Sequence, residues 1–275
     1  SIIIPTKDQS KLLRRCLDSI LNRSTYPNYE IILVDSGSQE SATKALYAQL
    51  SNYPQIKIIH WKKPFNFSAV NNFASRQAKG DYFLFLNNDT EVINGDWIEA
   101  MLEFAARPDV GVVGAKLFYP NQTVQHGGVI LGIGGVAGHS HKYFPSDSHG
   151  YFGRLVVPQN LSAVTGACLM ISRRVFDSVG RFDEGYALAF NDIDLCLKIR
   201  QAGKLVVWTP YAQLYHFESR TRGYDDTPQK QIRFKSEIDR FMSKWGRLLE
   251  KGDPYYTPNL TLKHEDFSLQ IPNDE

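Results

Sequence analysis

Short apolar runs alternate with amphipathic stretches along the first half of the chain. Residues 2–4 (Ile-Ile-Ile), 29–34 (with Ile-Ile-Leu-Val at the heart), 57–61, 82–86 and 110–118 are compact and largely apolar or aromatic. Runs of this length predict strands covered on both faces. Between them the spacing changes. Leu12, Leu13, Cys16, Leu17, Ile20 and Leu21 recur every three or four residues, which predicts one buried face of a helix with Asp8 or Ser10 as its cap. Further helices are predicted over 43–50, from Ser68 up to Gly80 (with Val70, Phe73, Ala74 and Ala78 inward), and over 97–106, where Pro108 stops the pattern. A strand-helix-strand order with short connections predicts parallel strands joined by right-handed crossovers. Thr6 and Asp35 should therefore end at the same edge of one sheet.

The second half is less regular. Residues 125–150 carry seven glycines and four histidines, and predict a flexible surface region serving as a mobile lid or acceptor-side loop. His126, His139, His141 and His149 match no zinc-ligand spacing. A helix over 192–202, a strand over 205–208 and a long amphipathic helix over 228–249 follow. Ile232, Phe234, Ile238, Phe241, Met242 and Trp245 supply the last helix's apolar face, which either packs on the domain or faces a membrane surface. The tail over 253–260 reads as an extended strap.

Composition narrows the function. The chain has 275 residues, enough for one large α/β domain or two small ones. A net charge of +2 with no basic run gives no electrostatic basis for binding nucleic acid. Cys16, Cys168 and Cys196 are far apart in apolar segments, which predicts small buried thiols and a reducing compartment. No apolar run reaches the ~18 residues of a spanning helix. Ser1 opens directly on a core strand, as expected of a domain from a longer, multidomain chain.

The stretch 80–92 is the centre of the candidate chemistry. Its apolar strand stops abruptly at Asn87, Asn88 and Asp89. In open α/β sheets ligands bind at the carboxyl ends of strands, so Asp89 is placed to hold a divalent cation. The same residues also make good turn chemistry, and Asp35-Ser36-Gly37-Ser38 has the same two readings, a nucleotide contact or an Asx-turn. Neither Gly-x-Gly-x-x-Gly nor Gly-x-x-x-x-Gly-Lys-Ser/Thr occurs, so the phosphates of a bound nucleotide would need a partner other than a glycine loop. A metal on Asp89 would be one.

Five motifs occur in order: Ile4-Pro5-Thr6, Val34-Asp35-Ser36-Gly37-Ser38, Leu86-Asn87-Asn88-Asp89, the stretch from Val164 through Gly166 to Asp183-Glu184, and Phe190-Asn191-Asp192-Ile193-Asp194. Together they closely resemble the family 2 inverting glycosyltransferases of bacterial polysaccharide and O-antigen synthesis, rhamnosyltransferase-like members among them. The resemblance spans roughly residues 1–220. It implies an α/β GT-A fold with a mostly parallel central sheet flanked by helices. It also implies a nucleotide-binding half over 1–118, an acceptor-binding half over 119–220, and a C-terminal helix and tail over 221–275 packed on the domain. Pro5, Thr6 and Asp35 become nucleotide contacts, with Asn71 and Asn88 grouped beside them. Asp89 becomes the ligand of Mn2+ or Mg2+, and His216 completes the metal or diphosphate site. The family's usual Asp-x-Asp begins here with Asn87, which lowers the ligand charge and implies a weaker metal site. Asp192 corresponds to the catalytic base, with Asn191 in place of the usual Glu. Arg220 and Arg222 would meet the diphosphate or stay solvated.

Asp192 also suits the start of a helix capped by Asn191. That placement predicts a depressed carboxyl pKa, and so a base relying on position more than basicity. Asp194 is read as structural. The implied partners are a UDP-, dTDP- or GDP-sugar donor and a saccharide or lipid-linked saccharide acceptor, in the cytoplasm with peripheral contact to the inner face of the plasma membrane left open. Two other functions remain: a nucleotidyltransferase, which normally shows a Gly-rich signature after its first strand, and a non-catalytic binding domain of the same fold, for which Asn87 and Asn191 give grounds.

Overall fold

A computed structural model describes residues 1–217 and 227–271, so the expectations for Arg220 and Arg222 fall outside the described residues. The first half alternates as its pattern predicts: β1 (Ile2–Thr6), α1 (Ser10–Arg23), β2 (Ile31–Asp35), α2 (Ser41–Leu50), β3 (Ile56–His60), α3 (Phe67–Ser75) and β4 (Tyr82–Leu86). There follow β5 (Thr90–Val92), α4 (Trp97–Ala105), β6 (Val110–Phe118), β7 (Val124–His126), β8 (Val129–Leu131), β9 (Ala137–His139) and β10 (Gln159–Asn160). The last elements are β11 (Cys168–Ser172), α5 (Arg173–Ser178), α6 (Asn191–Gln201), β12 (Leu205–His216) and α7 (Pro228–Leu249). No described helix is long and apolar enough to cross a membrane.

One sheet runs β10-β12-β6-β11-β4-β1-β2-β3, with β5 on β12 and β7 on β6. β1 is parallel to β2 and β4, β2 to β3, and β12 to β6. β11 runs antiparallel to both β4 and β6, so β6 points the same way as β4. The C-terminal ends of β1, β2, β3, β4, β6 and β12 therefore share one edge, and every residue discussed below as a ligand or base candidate lies at or beside it.

Alternate residues of the central strands serve opposite faces. Ile3, Ile32, Val34, Phe83 and Phe85 pack on one side, and Ile2, Ile4, Ile31, Leu33, Leu84 and Leu86 on the other. Both faces are covered, which is why these strands read as continuous apolar runs rather than alternating ones. Glycine inside β6 has a specific reason: a Cβ on Gly114 would lie 2.5 Å from the Val164 Cβ. All three cysteines are free and buried.

Several expectations change. α1 has no side-chain cap; Gln9 precedes it in the left-handed region (φ 57), and Asp8 (φ 52) is turned away. The Asp8 carboxylate instead accepts from the backbone N–H groups of Gln39 (2.7 Å) and Glu40 (2.8 Å), at the start of α2. α3 ends at Ser75, short of Gly80. β12 continues through a register shift between Thr209 and Gln213 to His216, because Pro210, which cannot donate to a ladder, is accommodated at that irregularity.

Over 124–133 the glycine- and histidine-rich stretch is packed rather than loose, whereas 142–150 lie at the surface. β7 and β8 are fully buried, as are His126 and His141. Glycines at positive φ, such as Gly128 and Gly132, let this stretch fold back tightly, so that Ile130 and Ile133 pack against Tyr256, Leu260 and Phe267 of the tail. The tail is pinned in turn: the Asp253 carboxylate accepts from Leu131 N and Ser162 Oγ, each at 2.8 Å. α7 packs on the domain with Phe241 and Trp245 buried, but Ile232 is 71% exposed.

Candidate active site

The shared edge begins with Thr6 and Asp35, which are register partners in β1 and β2. The loop after β2 folds over the Asp35 carboxylate. Oδ1 accepts from Ser38 N (3.0 Å) and Tyr47 Oη (3.1 Å), and Oδ2 lies 3.2 Å from His60 Nδ1 at the end of β3. Burial pulls the Asp35 carboxyl upward, but these hydrogen bonds outweigh it and hold the group below the usual aspartate range. Asp35 is thus an Asx-type turn former and a fixed anion at the same time. Thr6 Oγ1 accepts from Asn88 Nδ2 (3.1 Å), which ties the ends of β1 and β4 together. Pro5 lies inside β1 opposite Val34, buried in the sheet. Asn71 is fully buried on α3; its Nδ2 donates to Phe67 O (2.9 Å) and its Oδ1 has no partner.

Asp89 follows β4 in a turn closed by Thr90 Oγ1 donating to Asn87 O (2.9 Å). β5 then pairs with the end of β12, placing Thr90 opposite His216, and Phe217 N donates to Asp89 O (2.8 Å). This pairing across 127 residues brings the two candidate ligands together: His216 Nε2 is 3.2 Å from Asp89 Oδ1 and 3.2 Å from Asn87 Nδ2. Both side chains are nearly buried. On its other side, His216 Nδ1 lies 2.7 Å from Gln125 Oε1, an acceptor, so the Nδ1 proton points there. In the neutral form of that ring Nε2 carries the lone pair, beside both the Asn87 amide and the Asp89 carboxylate. Two electron-pair donors facing each other suit a bridging cation, and the residues fit a divalent ion in that respect. Among the described residues no third His, Cys, Asp or Glu completes a protein-only cage, so an ion there would draw its remaining oxygen ligands from a bound diphosphate and water.

Asp192 opens α6. Phe190, in the left-handed region (φ 61), turns the chain into the helix, and Asn191 is the first helical residue rather than its cap, with Nδ2 donating to Leu188 O (3.0 Å). The Asp192 carboxylate accepts from Gly166 N (2.8 Å) and Ile193 N (2.9 Å). The expected depressed pKa is corrected: burial raises the Asp192 carboxyl above the ordinary range, and the hydrogen bonds from Gly166, Ile193 and Thr165 only partly oppose it. Gly166 also links the two carboxylates, because its neighbour Ala167 accepts from Asn87 N (3.0 Å). The turn bearing Asp89 and the helix start bearing Asp192 are therefore held by consecutive residues ahead of β11. Asp194 is fully buried, accepts from Trp245 Nε1 (2.8 Å) and pairs with Lys244 (2.6 Å). Those partners agree with a structural role.

Sequence reasoning missed several contributors. His60 and Tyr47 hold Asp35, Gln125 orients His216, and His126 Nε2 accepts from Thr165 N (3.3 Å) beside Gly166. A polar residue ending β3 at the level of Asp35 was a usable signal for His60. Gln125 and His126 carried none, because their stretch reads as loop.

A family model described as "Glycosyl transferase family 2" matches residues 1–180. An uncharacterised protein of Sinorhizobium fredii (strain NBRC 101917 / NGR234), y4gI, is 48% identical over 99% of this chain and 30% of its own length. The O-antigen biosynthesis protein RfbC of Myxococcus xanthus is 40% identical over 98% of this chain and 21% of its own length. The chain thus spans less than a third of either relative. Among solved structures, the mannosyltransferase PcManGT of Pyrobaculum calidifontis, in complex with GDP-Man and Mn2+, superposes with a TM-score of 0.64 at 18% identity, over 90% of this chain and 63% of that one. At that identity the likeness shows the GT-A fold.

Proposed function

The chain belongs to glycosyl transferase family 2, and we propose that it transfers a sugar with inversion from a nucleotide diphosphate sugar to a hydroxyl of a saccharide or lipid-linked saccharide, in cell-surface polysaccharide synthesis. The observation that carries this reading is the gathering of Asp35, Asp89, His216 and Asp192 along one sheet edge, two of them linked through Ala167 and Gly166. Asp35 accepts from the ribose or base of the donor, with Thr6, Asn88, Pro5 and Asn71 shaping that half of the site. Asp89 and His216 would hold Mn2+ or Mg2+, which when bound would supply Lewis-acid stabilisation of the leaving group.

Asp192 takes the proton of the acceptor hydroxyl as its oxygen attacks the anomeric carbon from the face opposite the diphosphate. One base is enough for inversion, and a carboxyl raised by burial is a stronger proton acceptor once ionised. The likeness to a protein of O-antigen biosynthesis supports a polysaccharide or lipid-linked acceptor.

The test is turnover of a panel of UDP-, dTDP- and GDP-sugars with Mn2+ or Mg2+ and with chelator. Release of nucleoside diphosphate from one donor, lost on chelation, is the expected result. No turnover of any donor, with nucleotide binding retained, would instead mark a non-catalytic binding domain.

A further inference from the structure

The segment carrying Asp192 lies against one face of α7 along its length. Arg240 donates to both carboxylate oxygens of Asp183 (2.9 Å each). Phe241 packs against Tyr186 (6.3 Å between centroids) and Phe190 (5.2 Å), and Phe234 stacks on Phe190 (5.8 Å, 20° between planes). Glu237 is 3% exposed, and its carboxylate accepts from Leu188 N (2.8 Å) and Ala189 N (3.3 Å). Beyond Asp192, Trp245 and Lys244 hold Asp194.

Residues 187–190 belong to no strand or helix, and Phe190 is held in a left-handed conformation. Backbone N–H groups in such a turn need partners when buried. A buried carboxylate, for its part, persists only where it is paired and hydrogen-bonded. Glu237 and this turn meet each other's requirement, with Arg233 3.6 Å from the same carboxylate.

We propose that α7 sets the position of the catalytic base: Glu237 before Asp192 and Trp245 after it clamp the turn and the first helical turn, so that both are positioning residues for proton transfer. α7 lies outside the residues matched by the family model. The proposal rests on the reading of Asp192 as base.

The test compares Glu237→Gln and Trp245→Phe with wild type, using the donor from the UDP-, dTDP- and GDP-sugar panel that wild type turns over fastest. Turnover is counted per nucleotide-binding site, measured by calorimetry with the matching nucleoside diphosphate and Mn2+. Misplacement of a catalytic group costs on the order of 10–100-fold, so kcat per site should fall by that much for Glu237→Gln with nucleotide Kd and stoichiometry unchanged. Introduced into Asp192→Asn, Glu237→Gln should have no further effect, since residues acting as a unit are non-additive. Ile232→Ala, on the exposed side of α7, should behave as wild type.

A purely structural helix would instead lower binding stoichiometry and leave kcat per site intact. That result, or turnover within about twofold of wild type for both clamp variants, overturns the proposal. Should Asp192→Asn itself keep wild-type turnover, the base assignment falls and the clamp with it; should Asp192→Asn be inactive while both clamp variants run normally, only the clamp falls.

Discussion

Replacing Asp192 by Asn tests the base assignment with little change of shape. In the structure both carboxylate oxygens accept backbone hydrogen bonds, from Gly166 at 2.8 Å and Ile193 at 2.9 Å. An amide keeps one acceptor and turns an NH2 toward the other N–H. Leaving one buried donor unmatched costs about 1–3 kcal/mol. The chemical loss is larger: a positioned general base contributes roughly 10²- to 10⁴-fold. At 1.36 kcal/mol per factor of ten this is about 3–5 kcal/mol of barrier.

The pH dependence separates the two effects. The folded Asp192 carboxyl lies above the ordinary aspartate value of 3.8 because of burial, so wild-type turnover should fall as pH drops through that raised value, at a higher pH than for an exposed aspartate. For stability the sign is opposite. A raised folded pKa contributes stability that is fully present below 3.8 and is lost as pH rises through the folded value. Asp192→Asn carries no charge there, so its melting temperature should improve relative to wild type on going from acid to neutral pH. The assay is nucleoside diphosphate release across a pH series, with thermal denaturation of both proteins in the same buffers. Near-normal turnover by Asp192→Asn would refute the assignment, and melting curves that differ by a constant offset at every pH would refute the burial argument.

Asp89→Ala should abolish turnover and remove the Mn2+-dependent part of nucleotide binding, measured by calorimetry with and without the metal; full metal dependence in the variant would place the ion elsewhere. Gln125→Ala should weaken Mn2+ binding by about 10–100-fold, because the partner that fixes the His216 tautomer is lost, and an unchanged titration would contradict that orientation. Gly114→Ala should lower stability by about 1–3 kcal/mol through overpacking against Val164, seen as a lower melting temperature, with an unchanged value counting against the close contact.

Much of this fold is legible in local pattern. Tyr82–Leu86 and Val110–Phe118 read as strands, and Pro228–Leu249 as an amphipathic helix, because burial on two faces or one imposes its period directly on neighbouring residues. The stretch 124–141 misled for the same reason. Its glycines signal loop, whereas its burial comes from Tyr256, Leu260 and Phe267 more than a hundred residues later. Glu237 likewise looks like a solvated charge on a helix until the turn at 188–189 is seen beneath it.

By itself, the sequence determined the strand-helix alternation from β1 to β4, the polar ends of those strands, the absence of a glycine phosphate cradle, and the motifs that resemble a family 2 glycosyltransferase. Those properties are local or additive along the chain. The tertiary structure alone decided that His216 faces Asp89, that Gln125 takes the other side of the same imidazole, and that the Asp192 carboxyl is raised rather than depressed. Such outcomes depend on desolvation and on distances between residues far apart in the chain. A helix start favours a charged carboxylate by its local dipole, but here burial outweighs that term, and only the packed surroundings determine how much water is excluded.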